Sequence, residues 1–344
     1  MKTKIALFFG GMSAEYAVSL ASAAAILRLL DRDLYEPLAV GITRAGEWLL
    51  TPATPDEIEA DDWQRHATPC LLSPDRKRRG LLLFEEGGVR QALPDLLFPM
   101  LHGKYGEDGC IQGLFALSGI PFVGTPTLGS AIGMHKSIAK QLAQTAGIPV
   151  LRGACVVKAE GLAAAIAKIE EGLAYPLFVK PNAGGSSVGA GVVRTPRDLP
   201  AALTRAWRED EAALVEPYCP AREIEVAVLD GIASRPGEIG KAADAVYDYD
   251  TKYSGGGAPL RIPAPLSGEQ ETLVRRYALT LYRLFSCRGQ ARVDFFLTDE
   301  GGLYFNEINT LPGFTAGSMF PRLMAAGGSP SALLARMLAG ARAE

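Results

Sequence analysis

The residues best equipped for chemistry lie in two stretches in the second half of the chain. The first is Lys180-Pro181-Asn182-Ala183-Gly184-Gly185-Ser186-Ser187-Val188-Gly189. Its glycines let backbone N–H groups turn toward an anion, and the hydroxyls of Ser186 and Ser187 add donors without blocking approach. Lys180 supplies a point charge at the base, so the composition suits a polyphosphate. A plain hairpin turn is the bland alternative, but it needs less glycine and serine than this. Gly185–Gly189 also matches G-x-S-x-G, a hydrolase nucleophile elbow, which requires a following helix and a later histidine. Here Gly191-Val192-Val193-Arg194 reads as a strand, and His66, His102 and His135 all precede the serines. A P-loop fails too, because Met134-His135 intrudes before Lys136. No G-x-G-x-x-G follows the first strand, which counts against dinucleotide binding.

The second stretch reads as a hairpin. Ala291–Leu297 and Leu303–Asn309 flank Asp299-Glu300-Gly301-Gly302. An even-numbered turn centred there sets Asp294 opposite Glu307 and Arg292 opposite Asn309. Alternation then places all four side chains on one face. Two facing carboxylates repel unless something cationic sits between them. Asp294, Glu307 and Asn309 offer oxygen donors, the kind Mg²⁺ prefers when it also holds substrate phosphates. A three-residue loop would shift the register and break this arrangement. A solvated acidic face is the other reading, yet Glu307 and Asn309 sit among apolar neighbours.

The elements that must hold these stretches follow from pattern and punctuation. A chain of 344 residues suggests two or three domains. In the first third, strands Ile5–Phe9, Leu34–Ile42 and Leu96–Met100 alternate with helices Glu15–Leu30 and Ile111–Ser118, which implies a parallel sheet. Asp56–Arg90 is polar and irregular. Its basic run Arg76–Arg79 reads as a solvated turn before an edge hairpin, Leu81–Phe84 with Val89–Leu93. A boundary falls near Gly124-Thr125-Pro126. Helices Lys136–Ala146, Leu162–Glu171 and Asp198–Glu209 then alternate with strands Val150–Val157 and Pro176–Lys180. Beyond Leu214 the chain is mainly strands, with helices Glu269–Phe285 and Ser329–Ala341.

Composition excludes several classes. Lys+Arg 35 against Asp+Glu 38 gives a net charge of −3, which argues against a nucleic-acid groove or a polybasic membrane anchor. Hydrophobic residues at 48% and charged residues at 21% are globular values and exclude a disordered chain. No apolar run approaches the ~20 residues of a membrane helix. Lys2 and Lys4 before Ile5–Phe9 resemble a secretory signal, but Gly10-Gly11 breaks the run too early, so a first strand is expected. Five scattered cysteines without a C-x-x-C pair exclude a zinc ribbon or disulfide framework and fit a cytoplasmic protein.

A phosphate-cradling loop, several lysines and an acid–acid–amide face together indicate ATP·Mg²⁺ chemistry outside the P-loop and kinase sets. At this point the chain resembles the D-alanine–D-alanine ligases of the ATP-grasp superfamily. The likeness runs through Gly10-Gly11-x-Ser13-x-Glu15-x-x-Val18-Ser19, His102-Gly103-x-x-Gly106-Glu107-Asp108-Gly109 and the Lys180–Gly189 loop. It continues through Tyr247-Asp248-Tyr249-x-x-Lys252-Tyr253, Arg292-x-Asp294, Asn306–Thr315 and Ser318.

The resemblance implies an α/β chain, α+β in its C-terminal half, with three ATP-grasp domains. These are an N-terminal parallel-sheet, substrate-binding domain (1–124), a central subdomain (125–212) and a C-terminal catalytic domain (213–344). It implies that ATP drives formation of an acyl-phosphate from one D-alanine, which the amine of a second attacks. Lys136, Lys180 and Lys252, with Ser186 and Ser187, would hold the phosphates. Glu216 would read adenine and Glu223 the ribose, while Asp294, Glu307 and Asn309 would bind two Mg²⁺, or Mn²⁺. Glu15 would receive the first ammonium and join Ser186 and Tyr253 in closing a lid, for which Lys241–Pro259 is the candidate. Arg292 and the Gly313 N–H would stabilise the oxyanion. Ser318 and Met319 would take the second carboxylate, and His102 would orient the first substrate's site. His135 replaces the family's usual Asp and is expected to be solvated. Family likeness also implies a cytoplasmic homodimer that serves peptidoglycan synthesis. The stretch Val40–Trp48 resembles vancomycin-resistance ligases that use D-serine, which keeps that second substrate open.

Rival readings make other demands. A different ATP-grasp ligase should lack Glu15 with Ser186 and Tyr253. A non-catalytic ATP-binding module should have lost Arg292 or a metal donor.

Overall fold

The computed structural model describes residues 2–240, 259–325 and 328–342. Strand β1 (Thr3–Gly10) leads through α1 (Tyr16–Leu29) into β2 (Tyr35–Ile42). The run Ile5–Phe9 is buried throughout, as expected of a parallel strand covered on both faces. At Gly41 in β2 a Cβ would lie 2.2 Å from the Trp63 ring, so only glycine lets this buried indole rest on the strand.

Next come β3 (Trp48–Thr51), α2 (Pro55–Glu59), β4 (Thr68–Ser73), β5 (Gly80–Glu85) and β6 (Gly88–Ala92), before β7 (Leu96–Met100) and α3 (Cys110–Ser118). The sheet order is β6-β5-β4-β3-β2-β1-β7. Among the named strands of this sheet parallel pairing joins β2, β1 and β7, and Phe122 adds a parallel bridge to Leu97. The other four strands form an antiparallel ribbon. The stretch read as irregular therefore carries much of a sheet. It has no helix long enough for a crossover, so each strand turns back on its predecessor. The β5–β6 hairpin does lie at the edge. In the basic turn, Arg76 donates to the Ala116 and Leu117 carbonyls and so caps the end of α3.

The middle of the chain contains α4 (Thr127–Met134), α5 (Lys136–Thr145), β8 (Ala154–Val157), α6 (Leu162–Gly172), β9 (Leu177–Pro181), β10 (Gly191–Val193), α7 (Leu199–Glu209) and β11 (Ala212–Pro217). Its sheet, in the order β10-β9-β11-β8, is antiparallel throughout. A separate core of Leu177, Val179, Leu203, Trp207 and Val215 fastens α6 and α7 to it.

The last part is built from β12 (Arg222–Leu229), β13 (Ile232–Ala233), β14 (Gly237–Ile239), β15 (Leu260–Arg261), α8 (Gly268–Leu284), β16 (Gln290–Leu297), β17 (Leu303–Asn309), α9 (Met319–Met324) and α10 (Pro330–Arg342). Its sheet runs β15-β14-β12-β16-β17. The small sheet keeps β11, so the sheets divide after Pro217 rather than at 212. Helix α5 packs Ala139 and Ala143 against Phe305 and Ile308 of the C-terminal sheet instead of joining the central core. A further core unites the two ends of the chain, with Phe9, Leu20 and Leu27 meeting Phe320, Leu334 and Leu338. All five cysteines are free. Among the described residues, no helix is long and apolar enough to cross a membrane.

Candidate functional site

The β16–β17 hairpin sets up the site by a route the sequence concealed. Thr298 N–H donates to the Gly302 carbonyl, closing a three-residue loop with Gly301 left-handed at φ 86°. That loop pairs Leu297 with Leu303 and offsets the register by one. A β-bulge between Asp294 and Phe295 then absorbs Asn306 as the extra residue. Beyond it Asp294 faces Glu307 and Arg292 faces Asn309. The expected pairing is therefore present, although the turn alone would have destroyed it.

On that face Arg292 donates to both Asp294 oxygens, Nε at 2.8 Å and Nη2 at 2.7 Å. It also pairs with Glu225 of β12 at 3.0 Å. Burial works against the guanidinium's charge, but Asp294 and Glu225 outweigh it and keep Arg292 ionised. Glu307 pairs with Lys136 at 3.3 Å. Among the described residues no three His, Cys, Asp or Glu side chains are grouped to hold a metal. The donors present are the two carboxyl groups and the Asn309 amide, whose oxygen also accepts from Leu311 N–H. Hard oxygen donors on one face fit a divalent cation that takes its remaining ligands from a phosphate.

Opposite this face lies the Gly184–Gly189 loop, joining antiparallel β9 and β10. The two sheets enclose a cleft of about 1390 Å³, open mouth included. Lys136, Lys180, Ser186, Ser187, Glu216 and Glu223 line it, together with Asp294, Asn306 and Glu307. Phe178 and Phe296 add apolar wall. Ser186 and Ser187 both hold left-handed backbone, at φ 49° and 58°. Lys136 donates to the Gly184 carbonyl at the rim.

In the cleft wall, Glu216 is 2% exposed, with one oxygen 2.9 Å from Lys180 and the other 2.5 Å from Lys140. Burial alone would raise its pKa. The two ammonium groups reverse that and hold it below the usual carboxylate range. Lys180 also donates to Asn306 Oδ1 at 3.0 Å, so the bulged residue touches the site as well.

The third face comes from loops after the parallel strands β1 and β7, where α/β sheets commonly bind ligands. Ser186 donates its hydroxyl to Glu15 across the gap. Glycine at 185 permits this approach, since a Cβ there would lie 2.5 Å from Glu15 Oε2. Glu107 accepts from Gly103 N–H at 2.7 Å, and burial followed by repulsion from Glu15 pushes its pKa to about 8. His102 is buried with Nε2 3.4 Å from Ser22 Oγ, and burial lowers its pKa to about 4, leaving the ring neutral. Ser22 also accepts from Phe314 N–H, and Gly313 approaches Ser318 closely.

The remaining expected residues are distributed unevenly. Ser318 accepts from Thr315 N–H ahead of α9. Met319 packs its side chain into the core shared by both chain ends. His135 is not solvated. It is half-buried against the Asn182 amide, with Ser137 Oγ 3.3 Å from Nδ1. Lys252 and Tyr253, and the lid stretch from 241 to 258, lie outside the described residues. Lys140, Glu225, Asn306 and Glu107 were given no role from the sequence. Only Asn306 and Glu107 stood inside recognisable motifs.

Comparison with known proteins settles the family. A family model described as the D-ala D-ala ligase N-terminus matches residues 4–125, and one described as the C-terminus matches residues 142–339. The chain belongs to the D-alanine–D-alanine ligase family. A ligase of that name from Caldicellulosiruptor bescii is 41% identical, over 96% of this chain and 92% of its own. One from Thermoanaerobacter sp. (strain X514) is 44% identical, over 98% and 96%. Among solved structures, the VanG D-Ala:D-Ser ligase from Enterococcus faecalis superimposes with a TM-score of 0.89 at 37% identity, covering 99% of this chain and 100% of its own. The D-alanine-D-alanine ligase from Coxiella burnetii gives 0.83 at 30%, covering 99% and 94%.

Proposed function

We propose that this ligase joins two D-alanines into D-alanyl-D-alanine at the expense of ATP, for peptidoglycan precursor synthesis. The observation that carries the reading is the cleft in which Lys136 and Lys180 stand beside the facing pair Asp294 and Glu307. Family membership supports the choice of substrate.

In this reading the adenine lies between the apolar walls, with Glu216 and Glu223 taking its amino group and the ribose hydroxyls. Lys136, Lys180 and Lys252, with the Ser186–Ser187 loop, hold the phosphates. Divalent cations on Asp294, Glu307 and Asn309, two Mg²⁺ or Mn²⁺, would offset the triphosphate's charge and polarise the transferring phosphoryl group.

Glu15 receives the ammonium of the first D-alanine. A carboxylate oxygen of that substrate attacks the γ-phosphorus, ADP leaves, and a D-alanyl phosphate forms. The second D-alanine, its amine deprotonated, attacks the acyl carbon. Arg292 and the Gly313 N–H meet the oxyanion, and phosphate departs as the peptide bond forms. Ser318 and the Met319 backbone hold the second carboxylate, while neutral His102 orients the neighbouring loop. Tyr253, with Glu15 and Ser186, closes the site against water, which would hydrolyse the acyl-phosphate.

D-Serine as second substrate is the alternative, favoured by the likeness to VanG. Mass analysis of dipeptides formed from ATP·Mg²⁺ with equal D-alanine and D-serine decides between them. D-Alanyl-D-alanine as the main product supports the proposal, a dominant mixed dipeptide moves the chain to the D-serine ligases, and no dipeptide refutes both. We also infer a cytoplasmic homodimer formed through the N-terminal domain, which sedimentation of the purified chain tests.

A further inference from the structure

Helix α5 carries two lysines one turn apart, so both point to the same side. Lys136 faces the cleft. Lys140 does not line it, and with 5% exposure it is the least exposed of the buried lysines. Its ammonium lies 2.5 Å from Glu216 Oε1 and 3.4 Å from the Phe305 carbonyl. The other Glu216 oxygen belongs to Lys180, which does line the cleft. Each oxygen of this buried carboxylate thus has its own cation, one lining the cleft and one set back from it.

The asymmetry matters once a polyanion enters. Phosphates compete with Glu216 for Lys180. A buried carboxylate stripped of its only counter-ion is costly, so without Lys140 the carboxylate would hold Lys180 back. With Lys140 behind it, Glu216 stays paired and in place while Lys180 swings to the ligand. We infer that Lys140 is a positioning residue for nucleotide binding, the fixed counter-charge that lets Glu216 release Lys180. The inference rests on the proposal that the cleft binds ATP. Burial lowers the Lys140 pKa to about 8 against the pull of Glu216, which leaves the amine cationic at neutral pH.

A double-mutant cycle on the full chain tests this, reading ATP·Mg²⁺ affinity by titration calorimetry and the split between KM for ATP and kcat by phosphate release. Lys140→Met should weaken ATP binding and raise KM at least tenfold, with kcat changed less than threefold. Glu216→Gln removes the charge that needs compensation, so adding Lys140→Met to it should cost less than twofold more. An equal loss in both backgrounds, or no loss in either, overturns the inference. Where Lys140→Met alone does not fold, the double variant, which contains no lone buried charge, is compared with Glu216→Gln, and a further tenfold loss there overturns it as well. A wild-type chain that binds no ATP refutes the reading of the cleft itself. A wild type that binds ATP beside an unaffected Lys140→Met refutes only the role of Lys140.

Discussion

Glu15, Glu107 and Ser186 show how single side chains tune one another here. Glu15 is engaged by Ser186, and its charge helps hold Glu107 protonated. The Glu107 pKa rises from 4.5 to about 8 on folding. Between those values the folded chain keeps a proton that the unfolded chain has lost, so stability contributed by this group is present below pH 4.5 and falls as pH rises toward 8. Glu107→Gln keeps an acceptor for Gly103 N–H and should flatten that decline in chemical denaturation curves between pH 5 and 8. An unchanged slope would contradict the assignment. Motif and alternation made Glu15, Lys180, Asp294 and Glu307 legible in the sequence. Lys140 and Glu225 were not, because each acts on a partner that only the folded sheets bring near, and no local pattern marks them.

At the scale of elements, the β16–β17 hairpin carries the main lesson. Its strands and facing carboxylates could be read from alternation, but the loop length and the compensating bulge could not, because both depend on backbone conformations at Gly301 and Asn306. Gly301→Ala meets nothing within 4 Å and pays only for left-handed backbone, about 1–2 kcal/mol. Thermal unfolding should report that loss while kcat stays within twofold. Deleting Asn306 would instead remove the bulge while leaving Glu307 opposite Asp294 and Asn309 opposite Arg292, and it would take away the amide oxygen that accepts from Lys180. Turnover should fall no further than in Asn306→Ala, which loses the same acceptor, and a deletion variant far less active than that would contradict this register. The parallel core β2-β1-β7 was similarly legible from strand–helix alternation. Of the antiparallel ribbon only the β5–β6 edge hairpin was legible, because β3 and β4 are four and six residues long and carry no long alternation.

Across the whole molecule, the cores are divided unevenly. One joins α1 and β1 to α9 and α10 across almost the full chain, whereas the small sheet has its own. Leu334→Ala, in the shared core, should cost about 2–5 kcal/mol and raise hydrogen exchange in α1 as well as α10. Leu203→Ala, in the small sheet's core, should raise exchange in α6, α7 and β9 while leaving α1 protected. A molecule so arranged keeps a rigid base and one separately packed sheet over the cleft, which suits a site that must admit ATP and then exclude water. In the proposed reaction a D-alanine carboxylate oxygen attacks ATP there. The direct test is turnover with D-alanine labelled with ¹⁸O in its carboxylate, followed by mass analysis of the phosphate released. Each phosphate should carry one ¹⁸O, transferred when the acyl-phosphate breaks, whereas unlabelled phosphate accompanying dipeptide formation would rule out carboxylate attack on ATP.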